Sequence, residues 1–252
     1  MNKLINFYEL IPKDDDDMKY YNPNKLALQH PFRVSIVGST SSMKTNSLFN
    51  VFFSCNCFER VYIIAKLLDE KLYKYFINML EKVGEKIGET VVTYSNQLED
   101  IPTLEEIDSS KQNLVIVDDM MSESIERCKS LEVLFTMGRK RNVSVAILSQ
   151  SWYRIPIVLR GNCNYYILKQ IKNKKQIKAI VEETSLDKDK DELLSMYNKA
   201  ISGAEEDFFM IDLQTRDPKL RYRKSFLPLE QTTVSSESNE KKPTKTVKKN
   251  KN

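Results

Sequence analysis

The stretch that most constrains this chain is a short apolar run opening directly onto a glycine, five small or flexible residues and a Lys-Thr pair. Residues 33–38 read Arg-Val-Ser-Ile-Val-Gly, and Ser39, Thr40, Ser41, Ser42 and Met43 lead to Lys44 and Thr45. A buried strand that turns through such a loop into a helix is the setting of a phosphate-binding loop. Backbone N–H groups of Gly38 to Thr45, with the helix N-terminus behind them, can surround phosphates. Lys44 is placed to reach the β- and γ-phosphates of a nucleoside triphosphate, and the Thr45 hydroxyl to hold Mg²⁺. The usual glycine before the lysine is Met43 here, and if that position needs a positive φ, Met bears a steric cost that Gly does not. Read blandly, the same residues form a Ser-rich turn with a chance Lys-Thr.

A second apolar run, residues 114–117, ends in Asp118 and Asp119. A strand tip beside a phosphate loop is where a carboxylate holds Mg²⁺. That assigns Asp118 to the metal and leaves Asp119 to orient or deprotonate an attacking water. Residues 143–148 form a third run, followed by Ser149 and Gln150, whose amide could bond a γ-phosphate and a lytic water. Arg139 and Arg141, after Gly138, read as cations at a helix end capped by glycine, as an arginine finger for a neighbouring subunit, or as contacts to DNA phosphates. Arg160 is another finger candidate, and spacing does not choose among the three.

Around these motifs, short β-branched runs at residues 33–38, 61–65, 91–94, 114–117, 143–148 and 165–168 alternate with helical patterns at 44–53, 67–83, 122–137 and 174–183. Runs apolar on both faces suit strands inside a parallel sheet, so the chain reads as an α/β fold with a mainly parallel sheet flanked by helices. Residues 208–213 and 220–226 read as a C-terminal β-hairpin. We divide the chain into an N-terminal extension (1–29), a P-loop ATPase domain (30–228) and a Lys-rich tail (229–252). The tail carries six lysines against three glutamates, and with almost nothing apolar it is expected to be disordered.

Composition narrows the classes. No apolar run nears the ~18 residues of a membrane helix, and the start lacks a signal-peptide core, so no membrane partner is expected. One histidine leaves little room for His-based metal or triad chemistry. Four cysteines without a CxxC pair read as free thiols of a reduced, intracellular protein. The formal net charge is +4. The tail supplies +3 of it, so net charge alone does not announce a nucleic-acid binder.

Taken in order, His30-Pro31-Phe32-Arg33, the loop, Asp118-Asp119-Met120, Gly138-Arg139, Ser149-Gln150 with Ile155-Pro156, Arg160-Gly161-Asn162 and Leu220-Arg221-Tyr222-Arg223-Lys224 resemble the genome-packaging ATPases of the poxvirus, virophage and polinton type. Those belong to the FtsK–HerA superfamily of P-loop NTPases, with RecA/FtsK-like cores. Met43 departs from the pattern, and Asp119 stands where related motors often carry Glu. The resemblance implies an ATP-driven translocase packaging double-stranded DNA without sequence preference, working as a homo-oligomeric ring. A capsid or portal-like component would be a further partner, and a viral factory or the virion the location. It also implies basic loops facing a pore, with Lys172, Lys174 and Lys175 as candidates against a plain solvated helix face. Two other classes fit the motifs themselves: a P-loop nucleoside or nucleotide kinase, and a non-enzymatic NTP-binding scaffold.

Overall fold

A computed structural model describes residues 22, 24–120 and 129–229. One nine-stranded sheet organises them, in the order β3-β2-β4-β5-β1-β6-β7-β8-β9. The strands are β1 (Arg33–Val37), β2 (Arg60–Ala65), β3 (Val92–Ser95), β4 (Asn113–Asp118), β5 (Val143–Ser149), β6 (Tyr165–Leu168), β7 (Phe209–Asp212), β8 (Tyr222–Lys224) and β9 (Leu227–Pro228). The first six in that order are parallel, and β7 to β9 continue antiparallel from β6. All seven residues of β5 are buried, as expected for the middle of a sheet covered on both faces.

Helices α1 (Lys44–Cys55) and α2 (Lys71–Ile87) cover one face, where Leu48, Phe49, Tyr73, Phe76 and Leu80 pack on Ile36, Ile63 and Ile116. Helices α3 (Lys129–Met137), α4 (Ile157–Asn162), α5 (Lys174–Thr184) and α6 (Lys190–Ile201) lie on the other, with Leu131, Leu159, Ile180 and Leu193 over Val115, Val145 and Ile147. The α/β alternation and mainly parallel sheet expected from the hydrophobic pattern are present.

Several details differ from expectation. Helix α2 runs on through Gly84, whose missing Cβ would meet the Glu89 carbonyl at 2.5 Å, and ends at Gly88 in the left-handed region (φ 71°). Helix α6 has no counterpart among the expected helices, although Asp189 caps it by accepting from Glu192 N at 2.8 Å, a capping pattern visible in the chain. The expected helix start at residue 122 lies outside the described residues, as do positions 230–252 of the tail. The expected hairpin is β7–β8, joined through a 3₁₀ turn at Pro218–Leu220, with β9 as an added edge. Packing also begins before residue 30. Ala27 and Leu28 are fully buried, Asn22 donates to Leu28 O and Ser54 O, and the buried Arg223 bonds Leu26 O.

Candidate functional site

Parallel strands bring their C-terminal ends to one edge, and register decides which tips meet. Val37 of β1 lies opposite Ser149 of β5, and Leu148 of β5 opposite Asp118 of β4. Strand β5 therefore sits between the phosphate-loop strand and the carboxylate strand. Gln150, the first residue beyond its tip, falls between the two. A cavity of about 550 Å³ opens there, lined by Thr40 to Asn46 on one side and by Asp118, Asp119, Gln150 and the start of α2 on the others.

The loop is fixed at its base. Gly38 N donates to Ser149 O at 3.2 Å, Ser39 N to Gln170 O at 2.9 Å, and Ser42 N to Ser39 O at 3.2 Å. A Cβ on Gly38 would collide with the side chains of Ser42 and Lys169, so glycine is required there for space. Ser41 and Met43 both take left-handed backbone, at φ 62° and φ 61°. Met43 thus occupies a conformation that costs a non-glycine residue ~1–2 kcal/mol. It is the residue before α1, and no side chain caps the helix, so the first amides of α1 remain open toward the cavity they line.

Lys44 Nζ donates to Ser39 O at 3.3 Å, lying back along its own loop. Burial draws its ammonium below the usual lysine value, while Asp118, Asp119 and Glu70 oppose that shift. Thr45 Oγ1 lies 3.4 Å from Asp118 Oδ2. Burial raises the Asp118 carboxyl above its ordinary value; Tyr73, Lys44 and Thr45 oppose the shift, and Asp119 adds to it. A hydroxyl and a carboxylate facing each other form the hard oxygen donor set that suits Mg²⁺. Asp119 sits in left-handed backbone at φ 55°, which turns it out of the strand line. Its Oδ2 accepts from Gln150 Nε2 at 3.0 Å, and Gln150 Oε1 accepts from Thr40 Oγ1 at 2.8 Å. Gln150 thus ties the loop to the carboxylates.

Sequence reading missed Tyr73, whose hydroxyl donates to Asp118 Oδ2 at 2.7 Å. It falls on the 73, 76, 77, 80 stripe of α2, which reads as plain core, and only the phenol oxygen marks it as different.

The arginines separate. Arg160 is buried: Nε and Nη2 bond both oxygens of Glu183 at 3.0 Å, Nη1 bonds Trp152 O and Ile155 O, and the guanidinium lies 5.0 Å over the Trp152 ring. Four of its five donors are used inside the subunit, so its expected role as a finger is corrected to a brace between α4 and α5. Arg139 and Arg141 are exposed on a 3₁₀ turn, Gly138–Arg141. Gly138 does not cap α3 as expected; Asn142, at φ 53°, ends the turn instead. That turn enters β5 at the end opposite the cavity, roughly 20 Å away at ~3.3 Å per strand residue.

A family model of the poxvirus A32 protein matches residues 18–211. The chain belongs to the A32 family. Among curated relatives of this A32-family chain, the DNA packaging protein OPG160 of Vaccinia virus (strain Copenhagen) is 24% identical over 144 residues, 55% of this chain and 53% of the relative. OPG160 of Variola virus is 20% identical over 144 residues, with the same coverage. The chain spans about half the length of these relatives. Among solved structures, the genome packaging NTPase B204 of Sulfolobus turreted icosahedral virus 2 in complex with AMPPCP superposes with a TM-score of 0.55 at 10% identity, covering 79% of this chain and 98% of B204. Its complex with ATP-gammaS gives 0.54 at 10% identity, covering 77% and 96%. At such identity the likeness shows the fold alone. The resemblance to viral packaging ATPases read from the motifs is borne out by the family match. Among the described residues no helix is long and apolar enough to cross a membrane.

Proposed function

We propose that this chain is the ATPase of a motor that moves double-stranded DNA into a viral particle, hydrolysing Mg²⁺-bound ATP in the cavity between the phosphate loop and β4. The observation that carries the reading is Gln150 bonded at once to Thr40 of the loop and to Asp119. That places a polar link between the side that would hold phosphates and the side that would hold water. The OPG160 relatives are named as DNA packaging proteins, which supports viral DNA as the substrate moved.

In this reading Lys44 and the open amides of α1 hold the β- and γ-phosphates. Thr45 and Asp118 hold the metal, with Tyr73 fixing the Asp118 carboxylate. Mg²⁺ bound there would offset charge developing on the phosphate oxygens. Asp119 accepts the proton as the water oxygen bonds the γ-phosphorus, the bond from that phosphorus to the β–γ bridging oxygen breaks, and ADP leaves. Gln150 orients the water and is positioned to signal loss of the γ-phosphate. Arg139 or Arg141 acts on a neighbour's site in a ring, since neither reaches its own cavity. A capsid or portal-like component is the docking partner, in the viral factory or the virion.

Product analysis tests this. Inorganic phosphate released from ATP and stimulated by duplex DNA is the expected result. Phosphate appearing on a nucleoside acceptor would establish the kinase class instead, and binding without turnover the scaffold.

A further inference from the structure

The wall of the nucleotide cavity holds a cation that neither the motifs nor the mechanism above uses. Strand β2 ends at Ala65, which lies opposite Asp118 of β4 in the parallel register, and Lys66 N donates to Asp118 O at 3.3 Å. Lys66 is therefore the first residue beyond the β2 tip, about one strand spacing (~4.8 Å) from the strand whose carboxylate faces Thr45. It lines the cavity across from the phosphate loop, together with Leu67 and Glu70 of the turn that follows.

Among the described residues this wall carries two cations, Lys44 and Lys66, against three carboxylates, Glu70, Asp118 and Asp119. Lys44 Nζ lies back along the loop on Ser39 O, Arg160 is spent on Glu183, and Arg139 and Arg141 leave from the far end of β5. The cation on the β2 and β4 side of the cavity is then Lys66. A triphosphate brings more negative charge than Mg²⁺ offsets, and fixed positive charge inside a cavity counts for more than in open water. The Lys66 ammonium makes no ion pair among the described residues; Asp69, in the same turn, is taken by Lys74 at 3.3 Å. A solvated lysine closing a strand would explain that alone. It does not explain how its backbone is anchored. Glu70 N donates to Leu67 O at 3.3 Å and Lys74 N to Glu70 O at 3.0 Å, so the turn runs straight into α2, whose Tyr73 bonds the Asp118 carboxylate. The segment bearing Lys66 is thus tied to Asp118 at both ends.

We infer that Lys66 is a catalytic residue supplied by the same subunit that binds the nucleotide. Its ammonium donates to a non-bridging oxygen of the γ-phosphate, from the side opposite Lys44, and offsets the charge that builds there as water attacks. A compact charge on a flexible stem can follow those oxygens, where a planar guanidinium would demand a fixed fork. Lys44 reaches the β- and γ-phosphates alike, whereas Lys66 meets the γ-phosphate alone, so Lys66 also separates ATP from ADP. The inference rests on the ATPase reading above.

The test is competition of AMPPCP and of ADP, each with Mg²⁺, against a fluorescent ADP analogue on the full chain, with phosphate release from ATP measured alongside. Wild type, Lys66→Gln and Lys66→Arg are compared, and Lys66 is exposed, so neither change disturbs the core. Lys66→Gln should bind ADP as wild type does but AMPPCP about tenfold more weakly, the scale of one charge-assisted hydrogen bond. Its kcat should fall by about 10²-fold, as when one donor to a developing oxyanion is lost. Lys66→Arg keeps the charge and should recover part of both. Lys44→Ala, by contrast, should weaken ADP and AMPPCP together. Equal loss of ADP and AMPPCP affinity in Lys66→Gln would reduce the residue to general electrostatics and overturn the assignment. If wild type hydrolyses ATP and Lys66→Gln matches it in turnover, the assignment falls while the ATPase reading stands. If wild type binds neither nucleotide, both fall.

Discussion

The Tyr73 hydroxyl and the Asp118 carboxylate are joined at 2.7 Å, on the same carboxylate oxygen that faces Thr45. A donor on the charged form favours ionisation. In the proposed mechanism Asp118 must be ionised to hold the metal. Burial already raises its pKa, so activity is expected to fall, on the acid side, at a higher pH than an ordinary carboxylate would allow. Tyr73→Phe removes one opposing influence and should move that acid limb of kcat/KM to still higher pH, with a greater Mg²⁺ requirement. An unchanged pH profile would reduce Tyr73 to packing.

Met43 gives a test of backbone strain. Met43→Gly should relieve left-handed strain of ~1–2 kcal/mol, partly offset by the ~0.4–1 kcal/mol of unfolded-state entropy that glycine adds. The net expectation is a small stabilisation, with turnover level or raised. Met43→Val should do the reverse, because a branched side chain fits this backbone poorly. Thermal melts and phosphate release on both variants check the sign.

Much of this site was legible in the chain because it depends on spacing along one strand-loop-helix and on strand tips. Gly38 to Thr45, Asp118, Asp119 and Gln150 all fall at the C-terminal ends of apolar runs. Their meeting depends on strand order, which places β5 between β4 and β1; periodicity carries no information about that. Tyr73 and Glu183 were hidden for a related reason. Each acts across sequence gaps of 45 and 23 residues, on helices whose patterns mark only a core face and a solvent face. Arg160 could be mistaken for a free cation because nothing local announces its partner. Helix α4, six residues long, is too short to show a period.

His30 provides a stability prediction. It is fully buried, with Nδ1 2.6 Å from Ser144 Oγ, and burial lowers its pKa from 6.5 to about 4. Between those values the unfolded chain takes up the proton and the folded one does not, so stability falls as pH falls through that window. The loss should reach about 3 kcal/mol at ~1.36 kcal/mol per pH unit. Urea unfolding at pH 7 and pH 4.5 should differ by less in His30→Gln than in wild type. Equal pH dependence in the two proteins would contradict the assignment.

Arg139 and Arg141 test the ring. A finger supplied from a neighbour is worth ~10³–10⁵ in rate, so the finger variant should bind ATP normally and turn over poorly. Mixing Arg139→Ala with Lys44→Ala should restore part of the activity, because some interfaces then pair an intact loop with an intact finger. The Arg141→Ala mixture runs in parallel. Absence of complementation for both, with full turnover in each single variant, would leave these residues as solvated cations.

The central claim is that ATP hydrolysis in this cavity drives movement along DNA, and displacement of a third strand from a duplex measures that most directly. With ATP and Mg²⁺, the wild-type protein should strip a triplex-forming strand from its duplex. Lys44→Ala, or wild type with AMPPCP, should leave it in place while the duplex is still bound. Displacement by Lys44→Ala at the wild-type rate, or brisk ATP turnover on duplex DNA with no displacement by wild type, would contradict the account.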